Sequence, residues 1–152
     1  MPKRKTIDPQ LVSGIARNML CVLPLLRKRL LRMDAVQAKH SIPLSHVQVL
    51  ALLGDGYPLS VSDISQRLSI AKPNITPLVD RLLMRGYVSR QRDDNDHRVI
   101  NILITEAGSE MLADIHETIA EQIRLQTDHL SAADFKELAE ALDSVTRILS
   151  TL

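Results

Sequence analysis

The chain has 152 residues, 45% of them hydrophobic and 2% aromatic, with no Trp, a single Cys and a net charge of +1. That length suits one domain, or one domain with helical extensions, around an aliphatic core. One Cys excludes an intramolecular disulfide framework, and no apolar run approaches the roughly 20 residues expected of a membrane helix. The near-zero net charge hides an asymmetry. Residues 1–39 carry nine Lys/Arg against two Asp/Glu, residues 40–104 seven against six, and residues 105–152 three against ten. A basic first third and an acidic last third are expected to attract each other, within a chain or between chains.

Residues 1–7 are basic and are expected to be a frayed arm rather than a DNA-touching one. No apolar segment with a cleavage site follows them, so a cytoplasmic protein is expected. Asp8 and Pro9 are an N-cap and a first helical residue. They open a long helix, to about Ala38, whose apolar stripe is Val12, Ile15, Met19, Val22, Leu23, Leu26, Leu30 and Met33. Pro24 should kink or break it. A helix apolar over so many turns needs a partner that one chain alone does not supply. Cys21 lies on this helix; a sensor thiol needs exposure and a lowered pKa, and a small core residue is the expected role. The run Arg27, Lys28, Arg29 and Arg32 is expected to be a solvated helix face. A surface for the acidic C-terminal helices is the second reading of that run, and a DNA-backbone patch the third.

After a connector at 41–43, a helix is expected at 45–53 and a Gly- and Pro-rich turn at 54–58. The centre of the chain is the stretch 59–105. A helix fits 61–68, with Ser60 and Asp63 as a capping box and Val61, Ile64 and Leu68 inward. Residues 69–72 have the length of a helix-turn-helix turn. A second helix fits 73–85, with Ile75, Leu78, Val79, Leu82 and Leu83 on one face. Pro73 suits its first position and Pro77 falls near the edge of the free N–H zone. Lys72, Asn74 and Thr76 are then exposed at a positive helix end, and Gly86 ends the helix. Strands at 87–92 and 98–104 flank a tip at 93–97, with Arg90, Arg92 and Arg98 beside it. A helix-turn-helix followed by a charged hairpin is a winged helix, which lays its second helix in the major groove and its wing alongside. Thr105 caps the next helix, with Met111, Leu112, Ile115, Ile119 and Ile123 on its stripe. Ser131 and Asp134 cap the last one, which carries Phe135, Leu138, Leu142, Val145 and Leu149.

At these residues the sequence resembles the MarR family of bacterial transcriptional regulators. Asp96-His97-Arg98, five residues, then Ile104-Thr105-Glu106-Ala107-Gly108 is similar to the family's wing signature, with Ile104 in place of Leu. Leu78–Leu82, Arg85 to Val88, and Leu44-Ser45 with Gln48 and Leu50 also resemble family positions. Pro77 departs from the pattern: many members carry a basic residue there. The resemblance implies a homodimer joined through its terminal helices, an Asp96 that orients a nearby Arg, and a small effector, aromatic or phenolic, bound between the dimer helices and the DNA-reading domain. It also puts a redox Cys in the N-terminal region of one branch of the family.

No phosphate-binding Gly-rich loop, nucleophile elbow or zinc-protease motif is present, so no enzyme and no cofactor are expected. Asp93, Asp94, Asp96 and His97 lack the spacing of a calcium loop, and a solvated hairpin tip is expected in place of a metal site. The expected fold is mainly α: a winged helix-turn-helix at 40–104 with a small β-hairpin wing. An N-terminal arm and dimerisation helix (1–39) and C-terminal dimerisation helices (105–152) flank it. The expected function is a ligand-responsive repressor that binds double-stranded operator DNA as a homodimer, with no membrane partner. Lys72, Asn74, Thr76 and Arg81 would serve the recognition helix and Arg90, Arg92 and Arg98 the wing. The alternative is a winged helix used for protein interaction, without specific DNA binding.

Overall fold

The computed structural model describes residues 7–151; the basic start expected at 1–7 lies outside them apart from Ile7. Helix α1, Pro9–Leu25, begins where the Asp8 carboxylate accepts the Gln10 N–H at 2.8 Å. Pro24 interrupts the pattern as its missing N–H requires. The chain passes into a π-helical turn, Leu26–Leu30, and resumes as α2, Met33–His40. The long helix expected to run to Ala38 is therefore three pieces. Ser41, in the left-handed region at φ 52°, turns the chain into α3, Leu44–Leu53.

A strand absent from the sequence reading comes next: β1, Leu59–Ser60, pairs with Ile102 and Asn101 of a later strand. Ser60 and Asp63 form the reciprocal cap expected for α4, Val61–Leu68. Ser69, at φ 53°, makes the turn into α5, Lys72–Met84. Because α5 starts before Pro73, Pro77 lies inside the helix rather than at the edge of its free N–H zone, and it cannot donate to the Pro73 carbonyl. The other end closes tightly. Gly86, at φ 74°, donates its N–H to Leu83 O, and Tyr87 donates to Leu82 O, both at 3.0 Å. This is the double bond of a glycine-terminated helix. The wing is β2, Val88–Arg92, antiparallel to β3, Ile100–Ile104, in a sheet of order β1-β3-β2. Helices α6, Glu106–Gln126, and α7, Ala132–Leu149, complete the chain. They are capped by Thr105 and by the Ser131–Asp134 pair.

The core gathers Val36, Ile42, Val49, Leu50, Leu53, Ile64, Ile75, Val79, Leu82, Ile102 and Ile115, all fully buried. It joins α2 to α6 and the sheet. One glycine fixes how α6 meets it. A Cβ on Gly108 would lie 2.0 Å from the Tyr87 carbonyl oxygen. Beside it, the Thr105 hydroxyl donates to Gly86 O at 2.6 Å and accepts the Gly108 N–H at 3.1 Å. The Thr-x-x-Gly run thus clamps α6 onto the turn between α5 and β2.

The terminal helices behave differently: neither α1 nor α7 buries a single residue. Ile15 is 60% exposed, Leu20 79% and Leu149 56%. Cys21, expected in the core, is exposed as well, because among the described residues nothing covers α1. By length and composition alone, the helical stretch Pro9–His40 is apolar enough to cross a bilayer. Its average hydropathy absorbs Ser13, Arg17 and Asn18, which interrupt it residue by residue. Among the described residues no ion pair joins the basic N-terminal third to the acidic C-terminal third. Arg32 pairs with Asp34 at 2.9 Å, and Arg124 pairs with Glu121 and Glu117, all within their own segments.

Candidate nucleic-acid interface

The residues of α5 divide between two faces. Ile75, Val79 and Leu82 are buried, whereas Asn74, Pro77, Arg81 and Met84 are exposed at three- and four-residue steps. Asn74 is at the open end of this stripe. Arg81 follows it by seven residues, about 10 Å along the axis. Beside the same end, a cleft of about 390 Å³ is lined by Ser60, Ser62, Lys72, Thr76, Arg98, Val99 and Ile100, among others. It brings together Lys72, Thr76 and Arg98, which the sequence assigns separately to helix and wing. Lys72 Nζ donates to Ser62 Oγ at 2.9 Å, which ties α5 to the start of α4. The Thr76 hydroxyl donates to the Lys72 carbonyl at 3.3 Å.

The wing tip is ordered by one carboxylate. Asp93 accepts the N–H groups of Asn95 and Asp96, at 2.9 and 3.0 Å, and Asn101 Nδ2 at 3.0 Å. Those bonds hold its carboxyl below the usual range. Asp96 accepts Arg98 Nε at 3.1 Å and the Arg98 N–H at 3.1 Å. The Arg98 side-chain bond, first, and the backbone bond lower the Asp96 pKa. Arg98 keeps 92% of its side chain exposed, so its guanidinium is aimed yet free to contact a ligand. Arg90 is committed elsewhere: its Nη2 meets Asp80 Oδ1 at 2.6 Å and braces the wing against α5. Arg92 lines a separate cleft with Asp93, Asp94 and Asn101.

This architecture matches known proteins. The MarR family model matches residues 42–100. The HTH-type transcriptional regulator PecS of Dickeya dadantii is 31% identical over 128 residues, covering 82% of this chain and 72% of that protein. The chain belongs to the MarR family. The organic hydroperoxide resistance transcriptional regulator of Bacillus subtilis is 28% identical over 137 residues, covering 87% of this chain and 90% of that one. A MarR family protein from Bacillus stearothermophilus superposes with a TM-score of 0.74 at 19% identity. That match covers 95% of this chain and 99% of the other, and it shows a shared fold. The chain is a DNA-binding transcriptional regulator of the MarR family.

The family resemblance read in the sequence acquires physical content here. In this MarR-family chain Asp96 orients Arg98, Thr105 caps α6 while anchoring it to Gly86 O, and Gly108 leaves room for the Tyr87 carbonyl. Three residues escaped sequence reasoning: Asp80 as the partner of Arg90, and His46 and Arg85, which share a cleft with Arg81. Asp80 is ten residues from Arg90, and no local pattern links them. His46 sits in an apolar run, where it resembles any other core residue.

Proposed function

We propose that this protein is a repressor acting as a homodimer on double-stranded operator DNA, with α5 in the major groove and the β2–β3 wing beside it. The observation that carries the reading is the convergence of Lys72, Thr76 and Arg98 on one cleft at the open end of α5, next to the exposed Asn74. Asn74 offers the donor–acceptor pair that fits adenine. Lys72 and Arg98 supply charge for phosphates, and Arg92 extends the basic rim of the wing. Arg81 would meet the flanking backbone, and Arg90 acts on DNA through its hold on the wing. The homodimer rests on the uncovered apolar faces of α1 and α7, which a second copy would bury. The same face explains why α1 passes as a membrane segment by composition.

The effector is proposed to be a small aromatic or phenolic molecule. A cleft of about 230 Å³ between the π-helical turn and α6–α7, lined by Leu26, Leu30, Leu130, Leu138 and Arg29 among others, has suitable apolar walls. A gel-shift titration against the protein's own upstream DNA, with a scrambled duplex as competitor, tests the central reading. Preferential retention of the upstream duplex is expected. Equal weak binding to both would favour a winged helix used for protein interaction.

A further inference from the structure

A second cleft of about 390 Å³ opens between the start of α3 and the end of α5, lined by Ser41, Pro43, His46, Arg81, Met84 and Arg85. No carboxylate is among these residues. Helix α3 has Pro43 at its N-cap, no side-chain cap and no acidic residue in its first turn. The N–H groups of Leu44 and Ser45 find no partner among the described residues. Such a helix end carries partial positive charge. Neither Arg81 nor Arg85 forms an ion pair among the described residues; Asp80, next to Arg81, is taken by Arg90. Arg85 Nη1 donates to the Ser41 carbonyl at 3.1 Å, which orients the guanidinium and leaves its other N–H groups free.

His46 points to what this cleft receives. It is only 4% exposed. Ser45 Oγ lies 3.4 Å from its Nδ1, and a hydroxyl donating there leaves the ring proton on Nε2. Nε2 has no partner, although every sealed polar side-chain atom among the described residues has one. Nε2 is therefore not sealed from solvent, and His46 lines this cleft. Burial, and then the fields of Arg81 and Arg85, hold the imidazole below its usual range. An imidazole with an open nitrogen and two guanidiniums without ion-pair partners among the described residues thus line one space, next to the uncapped start of α3 at Pro43.

We propose that this cleft is an oxyanion site, in which a phosphate or carboxylate group sits on the guanidiniums of Arg81 and Arg85, the Nε2–H of His46 and the free N–H groups of α3. Two sources carry such a group. One is a DNA backbone phosphate, reached because Arg81 shares the exposed stripe of α5 with Asn74. The other is a free small anion. Only the first source rests on the DNA-binding reading.

The test follows the His46 ring signals by NMR in the full-length protein. Sodium phosphate is added, against sodium chloride at matched ionic strength. A saturable shift with phosphate and none with chloride is expected, lost in Arg85→Gln. Because Arg85→Gln also removes the bond to Ser41, Arg81→Gln provides a second variant that leaves that bond intact, and it should abolish the shift too. The protein's upstream duplex then distinguishes the sources. If a backbone phosphate is the ligand, the duplex shifts His46, and Arg85→Gln lowers the salt slope of DNA binding by about 1 for each Arg removed. If the ligand is a free anion, phosphate shifts His46 while that slope stays unchanged. A phosphate response without duplex binding counts against the DNA reading and leaves the site standing. A His46 signal that answers neither phosphate nor duplex, or answers chloride equally, overturns the site.

Discussion

Replacing Arg98 by Ala is expected to weaken binding to every DNA sequence alike and to flatten its salt dependence. The Arg98 side chain is 92% exposed, and the protein contact it makes is with Asp96, at 3.1 Å on the same hairpin. The tip is held independently by the three bonds that Asp93 accepts, so the hairpin should survive the change. Each cation that neutralises a phosphate contributes about 0.9 to the slope of log affinity against log salt. A homodimer presents the substitution at both wings, so the slope should fall by about 1.8. Between roughly 50 and 200 mM salt, the advantage of the unaltered protein over the variant should then shrink about tenfold. Fluorescence anisotropy with the upstream duplex and a scrambled one, at several salt concentrations, reads both quantities. Near-normal affinity with an unchanged slope would refute the assignment. A fall in thermal midpoint with the slope intact would make Arg98 a brace for the hairpin instead.

Gly108→Ala places a methyl group 2.0 Å from the Tyr87 carbonyl oxygen, a backbone atom that cannot swing aside. A loss of about 1–3 kcal/mol or more is expected in chemical denaturation, and an unchanged midpoint would mean that α6 docks differently. Asn74→Ala should cost about 1–3 kcal/mol on the preferred site and relax base preference there; equal weakening on all sequences would deny it base discrimination. His46, whose pKa is lowered by burial and then by Arg81 and Arg85, contributes stability present above the unfolded value of about 6.5. That contribution is lost as pH falls from there through the folded value. In chloride buffer its NMR titration midpoint should lie below about 6.5, and a midpoint at or above that would contradict the burial argument. The exposed stripes on α1 and α7 predict a dimer in sedimentation at micromolar concentration; a folded monomer there would sink the dimer reading.

Local chemistry made much of this fold legible. Ser60 with Asp63 and Ser131 with Asp134 announce two helix starts, because a hydroxyl and a carboxylate three residues apart satisfy each other's backbone N–H groups. Gly86 announces a helix end because it takes φ 74° without a Cβ to clash. Alternation in 98–104 and the charged tip identify the wing, and Asp96 lies close enough in sequence to Arg98 for their pairing to be read directly. These signals are short-ranged, so the sequence by itself determined the order and kind of the central elements and the family they resemble.

The tertiary structure decided what depends on distance across the chain. Strand β1 is two residues long and exists through its pairing with Ile102 and Asn101, some forty residues away. Where the long N-terminal helix breaks depends on how its pieces pack, so Pro24 marked a break without setting its π-helical form. The burial of His46 beside Arg81 and Arg85 comes from α3 crossing the end of α5. The reason Gly108 has no side chain is the carbonyl of Tyr87, brought to it by the wing's return. Cys21 shows the same dependence from the other direction: its apolar neighbours suggest a core, but burial needs a covering surface, and the described residues of one copy provide none.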